Sequence, residues 1–224
     1  ARARQIANDE QQAIRVGTSI LRPCKTLVEL WSRIDDGTLP ITIHIVPFDD
    51  SPVSMETMLD SLGREIDCFV GPCDSLTWKE RYNILSLKPV NCCIAVPRMH
   101  KLSKKKKLTW SDLEGETFML VKRGDSPVLN KMRDEIETKH PQITLLDTPH
   151  FYDTGVFNEC EQMGCVMETL DIWKDVHPSI VTIPMEWDYE MPYGIVYAKN
   201  PSGAMQTFIH TFQKHLHTET ELLH

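Results

Sequence analysis

The 224-residue chain contains no apolar run approaching the ~20 residues that a membrane-spanning helix needs, and no basic-then-apolar leader stands at Ala1. The expectation is a cytoplasmic protein with no membrane partner. Positive charge is scarce, with 24 Lys and Arg against 32 Asp and Glu and a formal net charge of −8. The only basic run is Lys101 with Lys104 to Lys107, without interleaved aromatics, and it reads as a solvated loop. Binding a nucleic acid requires a concentrated basic face that releases counterions, so nothing here is suited to holding DNA directly. The motifs that signal hydrolysis, nucleotide binding or metalloprotease chemistry are missing: there is no G-x-S-x-G, H-E-x-x-H, G-x-x-x-x-G-K-[ST] or G-x-G-x-x-G. The nine histidines are scattered, with His100, His150 and His177 beside loop or proline sequence. No enzyme is indicated. No C-x-x-C occurs either, and Cys68 with Cys73, or Cys160 with Cys165, lacks the further His or Cys ligands of a zinc site. No metal and no cofactor are expected.

The seven cysteines, which include Cys24, Cys92 and Cys93, form an odd set and fall mostly in apolar segments, where a thiol packs as a small hydrophobe. That usage fits a reducing compartment. A hydrophobic content of 41% suffices for a core shared by one domain or two subdomains.

Residues 1 to 11 are polar and read as the cut end of something longer. Ala13 to Gly17 reads as a strand, after which Thr18 or Ser19 caps a helix whose Leu27, Leu30, Trp31 and Ile34 share one face before Gly37. Ile41, Ile43 and Ile45 alternate with polar residues as a second strand, and Pro52 opens a second helix that closes at Gly63. Ile66 to Val70 is a third strand. Such alternation implies a parallel sheet covered by helices, with ligands at the carboxyl ends of its strands. From Tyr82 to Val96 the sequence is β-type almost continuously, broken at Lys88-Pro89, where the chain is expected to cross to a second subdomain. Thr109 with Asp112 makes a capping box closed by Gly115. Beyond it are a strand at Phe118 to Val121, a helix carrying Leu129, Met132 and Ile136, and a strand at Ile143 to Leu146. A helix capped by Asp153 or Thr154 and ended by Gly164 comes next, then strands at Cys165 to Met167, Ser179 to Pro184 and Tyr193 to Ala198. A last helix carries Met205, Phe208, Ile209, Phe212 and Leu216, a stripe expected to dock on the first subdomain.

One ordered set of segments resembles a known family. Gly63 precedes Arg64-Glu65-Ile66-Asp67-Cys68-Phe69-Val70-Gly71; then come Val96-Pro97-Arg98-Met99-His100-Lys101-Leu102, the basic loop, Leu108-Thr109-Trp110-Ser111-Asp112-Leu113 and the strand Thr117 to Val121. This order resembles the effector-binding region of LysR-type transcriptional regulators. Phe157 to Met167 is similar to the family's helix-glycine-strand segment, although Cys165 replaces its second glycine and its usual proline is absent. Ile183-Pro184-Met185 and Tyr193 to Lys199 with Ser202 extend the resemblance to about residues 12 to 216. It implies an α/β protein of two Rossmann-like subdomains joined by two crossovers, similar to the type 2 periplasmic binding proteins. Residues 1–88 and 191–224 would form the first subdomain and 89–190 the second. It also implies a homodimer or homotetramer built on the helix after the first strand and the edge strand Ile41 to Val46. DNA would be bound only through an N-terminal winged helix-turn-helix that this chain lacks. The family's peroxide sensors carry a cysteine pair where Arg123 to Met132 has none.

In that architecture the strand-to-helix turns line the cleft between subdomains and supply the contacts to a small-molecule effector. The candidates are Thr18, Ser19 and Ile20; Pro47, Phe48 and Asp49; Gly71 and Pro72; Arg123, Gly124, Asp125 and Ser126; and Phe151, Tyr152 and Asp153. Thr18 and Ser19 either bond a ligand carboxylate or cap a helix. Arg123 either pairs with an acid or is a loop cation. Phe48, Phe151 and Tyr152 either stack on an aromatic effector or pack in a core. Asp49, Asp50, Asp125 and Asp153 would repel an anion or hold an amine unless they point away as caps, and their number leaves the ligand's charge open. The resemblance implies a small-molecule effector such as an organic acid or an aromatic compound. The same fold leaves two alternatives, an extracytoplasmic solute-binding protein and an enzyme acting on a small acid.

Overall fold

The computed structural model describes residues 12–35 and 37–221; the polar stretch 1–11, read above as a cut end, lies outside the described residues. The chain begins β1 (Ala13–Thr18), α1 (Lys25–Ile34), β2 (Thr42–Pro47), α2 (Pro52–Asp60), β3 (Cys68–Pro72), α3 (Leu76–Arg81) and β4 (Tyr82–Ser86). It then enters a second layer through β5 (Val90–Pro97), β6 (Thr117–Val121), α4 (Pro127–Lys139), β7 (Thr144–Thr148), α5 (Thr154–Met163) and β8 (Val166–Leu170). That layer ends with β9 (Ile180–Pro184) and β10 (Glu190–Met191). After Pro192, β11 (Tyr193–Ala198) and α6 (Gly203–Glu221) return to the first layer.

The strands form two sheets, ordered β2-β1-β3-β11-β4 and β10-β5-β8-β6-β7, with β9 also on β5. In the first sheet β1 lies parallel to β2 and β3, whereas β11 runs antiparallel to β3 and β4. β3 is central because Cys68, Phe69, Val70 and Gly71 are all buried, the continuous apolar pattern of a strand covered on both faces. The chain passes between sheets at Leu87-Lys88-Pro89 and again at Pro192, where neither proline has an N–H to donate to a ladder.

The amphipathic stripes form as their spacing predicts. Leu27 and Trp31 of α1 are buried, and Trp31 meets Phe208 and Phe212 of α6 with ring centroids 4.6 and 5.8 Å apart. The start of α1 differs from expectation. It begins at Lys25, and neither Thr18 nor Ser19 caps it; the Thr18 hydroxyl accepts from the Cys24 N–H at 3.1 Å and so braces the intervening turn. Pro23 accounts for the delay, since the residue before a proline is driven out of the helical region and Arg22 cannot continue a helix begun earlier. The Thr109–Asp112 capping box is present, Asp153 caps α5, and Gly164 ends that helix at φ 63°.

Candidate functional site

A cavity of about 570 Å³ lies between the two layers, within the range that suits a small organic ligand. Its lining includes two helix starts of nearly the same sequence. Asp74-Ser75 precedes α3 and Asp125-Ser126 precedes α4. Each serine caps its own helix: Ser75 Oγ accepts from the Trp78 N–H at 3.0 Å and Ser126 Oγ from the Leu129 N–H at 3.2 Å. Each aspartate reaches across to the other helix. Asp74 Oδ2 accepts from the Ser126 hydroxyl at 2.7 Å and the Val128 N–H at 2.8 Å. Asp125 accepts from the Thr77 N–H at 2.9 Å, the Thr77 hydroxyl at 3.0 Å and the Ser75 hydroxyl. The Leu76 N–H also donates to the Asp125 carbonyl at 3.1 Å. The free N–H groups at a helix start attract carboxylates, and here the protein's own side chains occupy them reciprocally. Burial pushes the Asp125 carboxyl up, but the bonds from Ser75 and Thr77 together hold it below the usual carboxylate range.

Behind this clasp the walls are aromatic. Trp78 stacks on Phe151 with centroids 5.8 Å apart, and Tyr152 lies 6.0 Å from Trp173, whose indole N–H donates across the layers to the Leu21 carbonyl at 2.7 Å. Leu59, Leu129 and Met191 fill the spaces between them. Two buried ionisable side chains reach this space. Arg22 is 4% exposed, and its Nη1 donates to Asp50 at 2.5 Å; Asp50 also accepts from Ser19 Oγ at 2.6 Å and the Leu21 N–H at 3.0 Å. Glu168, on β8, is 2% exposed. Burial raises its pKa to about 8, with the Cys92 thiol beside it pulling the other way. Neither Glu168 Oε1 nor Arg22 Nε has a hydrogen-bond partner among the described residues.

Solved structures share this fold. The fold is that of LysR-type effector-binding domains. Full-length CbnR complexed with its target DNA aligns with a TM-score of 0.64 at 13% identity, covering 95% of this chain and 74% of that one. The BenM effector-binding domain with its effector benzoate aligns at 0.55 and 14% identity, covering 93% of each. ArgBP from T. maritima aligns at 0.58 and 16% identity, covering 96% of this chain and 94% of that one. No family model and no curated protein matches the sequence. The effector-binding fold expected from the segment order is therefore present: α/β, with two sheet-based layers joined by two crossovers, in the type 2 periplasmic binding-protein manner.

Of the residues singled out in the sequence, Pro72, Asp125, Ser126, Phe151 and Tyr152 line the cavity. The others do not line it. Thr18 holds Cys24, Ser19 bonds Asp50, and Ile20 is 61% exposed. Pro47 ends β2, Phe48 packs edge-on against Phe69 at 6.3 Å, and Asp49 accepts from the Ser51 N–H at 2.8 Å. Gly71 lies against the Arg22 side chain, where an added Cβ would come within 3.2 Å of Cγ. Arg123 is a surface cation paired with Asp134 at 2.6 Å and Glu137 at 2.9 Å. Asn130 clamps Gly124, and Asp153 accepts from the Val156 N–H at 3.2 Å as the cap of α5. Sequence reasoning missed Arg22, Asp74, Ser75, Trp78, Glu168 and Trp173. One signal was available: an Asp-Ser pair stands before α2, α3 and α4 alike, at Asp50-Ser51, Asp74-Ser75 and Asp125-Ser126.

Proposed function

We propose that this chain is the effector-sensing part of a LysR-type transcriptional regulator. A small molecule held in the cavity between the layers biases their arrangement, and through it the assembly of subunits. The observation that carries the reading is an aromatic cavity at the junction of two layers that hold each other by reciprocal side-chain bonds, so that ligand and closure are coupled. The division into 1–88 with 191–224 and 89–190 is the one on which closure would turn. Subunits would pair along β2, an edge strand with Ile45 55% exposed, and α1 beside it, giving a dimer or tetramer. DNA contact would belong to a winged helix-turn-helix outside this chain, because a net charge of −8 and a single lysine loop give no phosphate-binding face. The protein is read as a non-enzyme of the cytoplasm. Among the described residues no group of three His, Cys, Asp or Glu suited to a metal occurs, and no helix is long and apolar enough to cross a membrane.

A solute-binding protein of a transporter is the second reading, and the likeness to ArgBP favours it. The seven buried, unpaired cysteines suit it less well than they suit a reducing cytoplasm. The codons upstream of Ala1 separate the two. A winged helix-turn-helix and linker helix is the expected result; a secretory signal or an immediate start codon would overturn the regulator reading.

A further inference from the structure

The charges around the cavity are lopsided, and the imbalance is informative once paired groups are removed. Two arginines line it. Arg22 is committed to Asp50 at 2.5 Å and Arg81 to Asp60 at 2.8 Å. Each guanidinium therefore already has its counter-charge, and the helix N-termini that would welcome an anion are filled by Asp74 and Asp125. Among the described residues an acid entering here would meet no unneutralised arginine and no vacant helix end; the lining's other basic side chain, His150, is exposed and lies against Gly124. Against this, exposed Glu56 and buried Glu168 are carboxyl groups of the lining with no ion-pair partner among the described residues. Glu168 is the sharper case. A carboxyl 2% exposed, with one oxygen lacking any hydrogen-bond partner, is costly in a folded protein unless something else completes it. The surrounding rings of Trp78, Phe151 and Trp173 offer apolar area and π faces to a cation's hydrocarbon body.

Building on the effector reading above, we propose that the ligand of this cavity is an organic amine: a protonated primary ammonium bonded to Glu168, carried on an aromatic or apolar body that lies against Trp78, Phe151 and Trp173. The Arg22 Nε–H remains free to donate to a neutral oxygen on such a ligand.

The chemistry has a proton signature. In the empty cavity Glu168, with its pKa near 8, is mostly protonated at neutral pH. An arriving ammonium stabilises the carboxylate, so the carboxyl proton passes to the buffer as the ion pair forms. The groups that interact with Glu168 are Cys92 and Cys93 on β5 and Tyr152 ahead of α5; Arg22, Arg81 and His150 are the basic side chains elsewhere in the lining. Burial raises the thiol of Cys93 to about 12 and pushes the Cys92 thiol and the Tyr152 phenol upward as well, so none of these three gives up a proton near neutrality. Amine affinity should therefore climb roughly tenfold per pH unit from pH 6 towards 8.

The test pairs ligands of matched shape and opposite charge, tryptamine against indole-3-acetate and phenethylamine against phenylacetate, each at up to about 10 mM, by thermal shift and titration calorimetry. The expected result is stabilisation by the amines alone. Calorimetry at pH 7 in buffers of different ionisation enthalpy should show close to one proton released per amine bound. Glu168→Gln should weaken amine binding at least tenfold and abolish the proton release. The wild-type proton count stands by itself if that variant does not fold. Stabilisation by the acids and not the amines, amine binding that Glu168→Gln leaves unchanged, or no response to either class would overturn the proposal. Acid binding that is lost in Trp78→Ala would leave the sensing cavity intact and refute only its charge preference. A secretory signal upstream would refute the regulator reading without touching the ligand's charge.

Discussion

Asp125→Ala removes one half of the clasp between α3 and α4 while leaving the other half, centred on Asp74, in place. Three bonds are lost: those from the Thr77 N–H at 2.9 Å, the Thr77 hydroxyl at 3.0 Å and the Ser75 hydroxyl. Hydrogen bonds to an ionised acceptor exceed the neutral average, but this carboxylate is half-buried and partly screened, so about 1 kcal/mol per bond is a fair value. The Ser75 and Thr77 donors can turn to water once the carboxylate is gone. The expected cost is therefore about 2 to 3 kcal/mol, and it falls on the association of the two layers more than on either layer alone. Urea unfolding would give the total. A double-mutant cycle with Thr77→Val and Ser75→Ala would isolate the coupling, and fluorophore pairs placed on the two layers would report a wider mean separation. Because Asp125 titrates below the range of an unfolded aspartate, its contribution is complete above about pH 4 and lost as the pH falls through its lower folded value. Acid should thus loosen the clasp only below about pH 4. A coupling energy near zero, or an unchanged separation, would show that the two carboxylates do not hold the layers together.

Asp50→Ala leaves Arg22 charged and 4% exposed with no partner. The penalty should be about 3 to 5 kcal/mol by urea titration, and a loss under about 1 kcal/mol would mean water reaches the guanidinium. Gly194→Ala puts a Cβ 2.6 Å from the Leu85 carbonyl oxygen between two strands of the first sheet, where backbone must yield. A cost of about 1 to 3 kcal/mol is expected in the same assay, and a neutral result would show that β4 can shift. The thiols of Cys68, Cys73, Cys92 and Cys93 are buried, and burial pushes Cys73 to about 11, Cys93 to about 12 and the other two higher still. A disulfide reagent at pH 8 should modify these four only on unfolding; rapid labelling of any one in the native chain would refute that.

The parts of this fold legible in the sequence are those whose information is local or periodic. The stripes of Leu27 with Trp31 and of Phe208 with Phe212 declared their helices and their faces. Thr109 with Asp112, Asp153 and Gly164 marked helix ends through side-chain and φ requirements that act within a few residues. What escaped was either too short or too distant. α3 has six residues, under two turns, so Leu76 to Arg81 shows no repeating face even though its Trp78 forms a wall of the cavity. Arg22 and Asp50 are 28 residues apart, and Asp125 and Thr77 are 48 apart. Glu168 lies in a strand whose five residues are all buried, a position where alternation would have put a charged side chain in water. Nothing in Val166 to Leu170 alone says that a cavity stands in front of it.

The same geometry sets a condition on how a ligand could act. A molecule shifts an equilibrium only by the difference in its affinity for the two arrangements. With the layers together, Asp74 and Asp125 are each satisfied by the opposite helix, and in an opened form both would lose those bonds, Asp74 keeping only its pairing with Lys79 of α3 at 3.7 Å. A cation that used those two aspartates would compete with the clasp and favour opening. One that passes between them to Glu168, and covers its body with Trp78, Phe151 and Trp173, gains partners drawn from both layers and favours closure. Depth of penetration therefore decides the sign of the response. A short polyamine that reaches only the rim and an aromatic amine that fills the cavity should move the separation of the layers in opposite directions, although both carry positive charge.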